Sequence, residues 1–129
     1  MYEVTQKGKM VLRDLGHDFK NTSEGIAHRY WKNRISRFYE NQGFDVRVEE
    51  YYVNGRPDII VIKDGKKAAI EIETGKSNFL KNIKQGIDAG FDEIVCIATT
   101  RFVEDKIKSE LRLKKILDSR VKVTNVMGF

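Results

Sequence analysis

A single cysteine in 129 residues leaves the chain no internal disulfide. Such a lone thiol suits a reducing compartment, so the expected location is cytoplasmic. No apolar run approaches the roughly 18 residues that a membrane helix needs, and the first residues lack the basic-then-apolar order of a signal peptide. The reading therefore expects no membrane partner. Repeats and low-complexity segments are missing too. Acidic residues are the minority charge: 24 Lys and Arg stand against 19 Asp and Glu, a net +5 that favours a polyanionic partner over an acidic one.

What is present suits one soluble globular domain with a core of its own, since 40% of the residues are hydrophobic and 33% charged. Residues 1–22 read as an N-terminal extension and residues 23–129 as the domain. Within the extension, "YEVTQKGKMVL" resembles the closing strand and last helix of a winged-helix domain. The other reading is an amphipathic lead-in helix that packs Met10, Val11 and Leu15 on the core.

From Ser23 the spacing predicts a helix to about Asn41, with Trp31, Ile35 and Phe38 as its buried stripe and Gly43 as its stop. Glu24 and His28 extend that stripe backwards. Three strand-like stretches follow, "FDVRVEEYYV", "RPDIIVIK" and "KKAAIEIE", separated by Asn54-Gly55 and Asp64-Gly65, two dipeptides that suit tight hairpins. Ser77 is then expected to cap a helix reaching Ala89, with Phe79, Ile83 and Ile87 on one face. "EIVCIA" reads as a strand covered on both sides, Val103, Ile107 and Leu111 carry a last helix, and "VKVTNV" a last strand. The order α-β-β-β-α-β-α-β predicts an α/β domain with a mixed sheet and helices on both faces.

"IEIETGKSN", residues 70–78, carries the chemical question. Gly75-Lys76-Ser77 ends like a phosphate-binding loop, but such a loop needs a glycine where Ile70 stands, so that reading fails. Glu71 and Glu73, two apart on one strand, lie on one face instead. If Asp64 and Gly65 are the turn residues, Asp58 falls directly across from Glu71 and Arg56 across from Glu73. The same reasoning from Asn54-Gly55 sets Tyr51 beside Asp58 and Glu49 beside Ile60. Facing carboxylates destabilise a sheet, and a cation between them resolves the repulsion. Solvated acids on an open face are the alternative, disfavoured where helices cover both faces.

Pro57-Asp58 followed across a hairpin by Glu71-Ile72-Glu73, between two helices, resembles the PD-(D/E)xK nuclease superfamily, which includes restriction endonucleases and archaeal Holliday-junction resolvases. The resemblance spans about residues 23–126. It implies a restriction endonuclease-like fold, DNA as substrate with RNA left open, and Mg2+ or Mn2+ as cofactor. Asp58, Glu71 and the backbone carbonyl of Ile72 would bind the ion, with Glu24 and then Glu49 as the acids that complete the site.

The sequence departs from that pattern at the lysine two residues after the second acid, which is Glu73 here. Glu73 could act as a water-orienting base or as a ligand to a second ion, with a salt bridge to Arg56 as the competing structural role, and Lys76 could lend the positive charge from the start of the next helix, whose free amides at residues 77–79 favour a phosphate. His28, Arg29, Lys32, Arg56, Lys81 and Lys84 are the candidate nucleic-acid contacts, each of which could also be ordinary surface charge or, for His28, a hydrogen-bonded partly buried side chain. Cys96 reads as a buried core residue rather than a nucleophile. Two functions follow: a metal-dependent DNA endonuclease domain, or a nuclease-like domain that binds nucleic acid or serves in assembly without cutting. A second copy of the chain or a longer polypeptide is the expected protein partner.

Overall fold

The computed structural model describes residues 25–48 and 56–129. Its elements run α1 (Ile26–Asn41), β1 (Asp45–Val48), β2 (Ile59–Lys63), β3 (Lys66–Glu73), α2 (Phe79–Asp88), β4 (Glu93–Ala98), α3 (Arg101–Leu113) and β5 (Val121–Asn125), ending in a short 3-10 turn, Val126–Gly128. The five strands form one sheet in sequence order. β1, β2 and β3 pair antiparallel, and β3, β4 and β5 pair parallel. The expected mixed α/β architecture and element order are both present.

The meander turns where the sequence places it. Asp64 and Gly65 both have positive φ, 53° and 79°, the requirement of a two-residue hairpin turn that matches strand twist. From there Lys63 pairs with Lys66 and the ladder runs back to Ile59 opposite Ile70. After β3 the chain makes two crossovers, each stepping one strand further in the same direction. Right-handed crossovers that step the same way put their helices on the same face. α2 and α3 accordingly share one layer, where Phe79, Ile83, Val103, Ile107 and Leu111 bury against Ile60, Ala69, Ile94, Cys96 and Ala98.

The vacated face takes α1. Ile35 is fully buried there against Ile59, Val61, Ile70, Ile72, Val95 and Ile97, and Trp31, Tyr39 and Phe44 pack around it. Phe38 meets Phe129 edge-on, with ring centroids 4.7 Å apart. β4 therefore buries both of its faces, which is why its sequence is a continuous apolar run rather than an alternating one. Burying a residue such as Ile83 or Ile97 stabilises the fold by about 1.5–3 kcal/mol. No helix among the described residues is long and apolar enough to cross a membrane.

Four local expectations are corrected. α1 begins at Ile26 with Gly25 as its N-cap, three residues after the expected start; Ser23 and Glu24 lie outside the described residues. α2 is capped by Asn78, whose side chain accepts from the Lys81 N–H at 3.2 Å, and not by Ser77. β2 starts only at Ile59, because Pro57 has no N–H to give a ladder and Asp58 bends away. Finally, the first hairpin is paired two residues off the expected register: Arg47, not Glu49, opposes Ile60. A shift of two leaves every side chain on its own face, so the apolar pattern cannot oppose it and only the turn could specify it. That turn, Asn54-Gly55, lies outside the described residues, as do Glu49, Tyr51 and the whole 1–22 extension.

Candidate metal centre

β3 builds the site at its C-terminal end. Ala69 faces the layer of α2 and α3, and side chains alternate along a strand, so Glu71 and Glu73 face that layer as well, while Ile70 and Ile72 face α1. The two acids are flanked on β4 by Cys96 and Ala98, their register partners. Neither reaches bulk water freely: Glu71 is 7% exposed and Glu73 only 1%. Carboxylates are rarely buried this deeply without a partner.

Asp58 joins them from β2. It sits one position beyond the last ladder pair, Ile59 with Ile70, which makes Glu71 the residue it would oppose. The backbone bends there, and the Asp58 carboxylate folds over to accept the Ile72 N–H at 2.8 Å. The same oxygen, Oδ2, lies 3.1 Å from Nε2 of His28 in the first turn of α1. Asp58 thus ties α1 to the end of the sheet. His28 is where the helix spacing puts it, beside the acids.

The electrostatics of the cluster are unfavourable by themselves. The Glu71 carboxyl is pushed up to about 9, first by burial and then by the charges of Asp58 and Glu73, against the smaller pull of the Asp58 backbone N–H and of His28. Glu73 is also held above the usual carboxylate range by burial, an effect opposed by hydrogen bonds from Ser77 and Asn82. The Ser77 hydroxyl donates to Glu73 Oε1. Burial, then Glu73 and Glu71, likewise push the Cys96 thiol up, which suits a core residue and not a nucleophile.

The donor set fits a hard divalent cation. The Glu73 carbonyl accepts from the Thr99 N–H at the end of β4, so the Ile72 carbonyl, one residue earlier on the strand, points to the opposite edge, toward Asp58. Two carboxylates and a carbonyl are oxygen ligands of the type Mg2+ and Mn2+ take, with waters filling the remaining positions. Among the described residues no group of three or more His, Cys, Asp or Glu is placed to hold a metal ion. Glu24 and Glu49, expected to complete the site, lie outside the described residues.

The remaining candidates scatter. Lys76 is exposed on the turn from β3 to α2, and Lys81 and Lys84 are exposed on α2. Arg56 is exposed ahead of β2, outside the ladder that was expected to set it against Glu73. Arg29 is half-buried, and Lys32, one turn beyond His28, is buried at 6% exposure, not at the surface where a backbone contact was expected. Gly75, the glycine of the failed phosphate-loop reading, has a structural reason: its φ is +99°, and a Cβ there would stand 3.2 Å from Val103. Sequence reasoning missed Ser77 and Asn82 as partners of Glu73. The available signal was their placement, a hydroxyl four residues after an inward-facing acid and an amide on the first turn of the next helix.

Residues 24–87 match a family model. It is described as competence protein CoiA, nuclease-like domain. The matched stretch runs from the start of α1 through α2 and holds Asp58, Glu71, Glu73, Ser77 and Asn82, and it marks this part of the chain as nuclease-like in fold. Among solved structures, the chain resembles the crystal structure of a protein of unknown function, AF1548, with a TM-score of 0.54 and 17% identity over 74% of this chain. The chain spans 56% of the length of that structure, and at this identity the likeness shows the fold. No curated protein matches the chain.

Proposed function

We propose that the domain is a divalent-metal-dependent DNA endonuclease of the PD-(D/E)xK type, in a variant with glutamate at the lysine position. The observation that carries this reading is the placement of Asp58 one position beyond the Ile59–Ile70 pair, opposite the buried Glu71 and beside the end of β3 that also buries Glu73, inside a nuclease-like stretch. A buried cluster of like charge is unstable by itself and is relieved by a cation.

Asp58, Glu71 and the Ile72 carbonyl are the groups that would hold the ion. When bound, it lowers the pKa of a water and neutralises charge on the scissile phosphate. The chain's own groups do the rest. His28 fixes the Asp58 carboxylate through Oδ2. Glu73, on the same face as Glu71, orients the attacking water and accepts its proton. Lys76 reaches the phosphate from the turn before α2, the role that the family gives to the lysine absent at position 73. Water adds across the P–O bond, and the leaving oxygen is protonated from solvent.

The reading predicts cleavage of DNA with Mg2+ or Mn2+ and none in EDTA. Asp58→Ala and Glu71→Ala are expected to abolish cleavage while retaining a cooperative thermal transition. Calorimetric titration of Mn2+ into the wild type and Asp58→Ala is the companion measurement, with binding expected only in the former. A second reading, a nuclease-like module that binds nucleic acid without cutting, is favoured by Glu73 itself, an acid where the family keeps a lysine. Wild type that leaves duplex, branched and single-stranded DNA intact with either metal decides for that second reading.

A further inference from the structure

We infer that Ser77 and Asn82 are positioning residues that hold the Glu73 carboxylate in its working orientation, so that Glu73, Ser77 and Asn82 form one unit replacing the family's lysine. The inference rests on the endonuclease reading. Its basis is geometric. Glu73 is 1% exposed and ends β3 on the face that carries Glu71. An acid so placed could rotate away from the other carboxylates or be held among them. The Ser77 hydroxyl donates to Oε1, and the Asn82 side chain supplies a second hydrogen bond. Ser77 stands on the turn after β3 and Asn82 on the first turn of α2, so the two partners reach Glu73 from different elements.

The capping chemistry of α2 points the same way. The residue directly before α2 is Asn78, a good cap in its own right, and Ser77 stands one residue earlier, outside the cap position. Asn78 accepts from the Lys81 N–H, and Thr100 caps α3 by accepting from Val103. Ser77 is thereby free to turn back toward the sheet. Gly75 allows this return, since its left-handed backbone reverses the chain within two residues of Glu73. The turn is built to bring a hydroxyl to a buried acid, which a simple strand-to-helix connection does not need.

Ser77→Ala, Ser77→Thr, Glu73→Gln and the Glu73→Gln/Ser77→Ala double variant test this in the full chain. Measurements are single-turnover cleavage with Mn2+, Mn2+ affinity by calorimetry, and the thermal midpoint. Removing such a supporting partner typically lowers activity or metal affinity by about 10- to 100-fold. Ser77→Ala is expected to lose about that much in the single-turnover rate constant, with Mn2+ affinity, the half-saturating DNA concentration and the thermal midpoint little changed, and Ser77→Thr, which keeps the hydroxyl, to restore it. In the Glu73→Gln background Ser77→Ala should have no further effect, because residues acting as one unit are not additive. A wild-type rate constant for Ser77→Ala overturns the assignment alone. A loss in Ser77→Ala that tracks a lowered thermal midpoint and is not restored by threonine also overturns it, making Ser77 a structural staple. Wild type that neither cleaves nor binds Mn2+ overturns the endonuclease reading and the assignment with it.

Discussion

At the scale of single residues, Glu71 carries the most information, because its environment is hostile to its own charge. Burial first, and then the charges of Asp58 and Glu73, push its carboxyl up to about 9 from an ordinary value of 4.5, so across that interval the folded state holds a proton that the unfolded state has released. A group of this kind contributes stability that is fully present below the unfolded value and is lost as pH rises toward the folded one. Each unit of difference corresponds to about 1.4 kcal/mol. The thermal midpoint of the EDTA-treated protein is therefore expected to fall steadily from about pH 5 to about pH 9, and Glu71→Gln to flatten that fall. Added Mg2+ or Mn2+ should raise the midpoint, and raise it more at the alkaline end, because the ion binds the deprotonated carboxylate and only the folded state assembles the site. Scanning calorimetry over a pH series with and without metal checks this. A midpoint indifferent to pH would mean that Glu71 ionises normally and that no cation is called for.

At the scale of elements, the approach of α2 to β4 is close enough to predict. Gly86 is buried in α2, and a Cβ built there would lie 2.8 Å from Cγ1 of Ile94, which is fully buried. Alanine is a better helix former than glycine by about 1 kcal/mol, whereas overpacking a core typically costs about 1–3 kcal/mol. Ile94 has no room to yield, so the clash wins. Gly86→Ala is expected to destabilise the domain by about 1 kcal/mol in denaturant unfolding, and a stabilised variant would show that α2 stands farther from the sheet. Asn78→Ala should lose about 1 kcal/mol with its cap, while Ser77→Ala loses none on that account. The same elements show what a sequence can and cannot disclose. β3 and β4 were legible to the residue, the first because a two-residue turn fixes its start, the second because burial on both faces leaves an unbroken apolar run. Glu71 and Glu73 were legible as one face because strand alternation is geometric, whereas the bend that carries Asp58 out of β2 was not. The register of β1 was not legible, since a two-residue slip costs no burial. Ser77 was misread because the next residue, Asn78, is an equally good cap and the helix starts one residue later than expected. The burial of Lys32 was equally hidden: a lysine among polar helix residues carries no sign of it.

At the scale of the whole molecule, the question is where a polyanion would lie. On the proposed DNA-cleaving reading, the net charge of +5 is modest and the acidic site would repel DNA without a cation, so affinity would have to come from cations spread around the site rather than in it. Two of the exposed candidates, Lys81 and Lys84, lie on α2, the helix that follows directly from the turn carrying Lys76. A protein that neutralises phosphates releases condensed counterions, and the logarithm of its binding constant falls with the logarithm of salt by about 0.9 per phosphate contacted. Duplex binding measured in the Asp58→Ala background, where cleavage is absent, is expected to weaken steeply with KCl. Adding Lys81→Ala and Lys84→Ala should reduce the slope by about one contact each and weaken binding alike on different sequences, because phosphate contacts position the duplex without reading it. Both arms share the Asp58 substitution, so its effect on the field cancels. An unchanged slope would place the DNA off α2, and Lys76 would then need a different approach to the phosphate than the one the turn before α2 suggests.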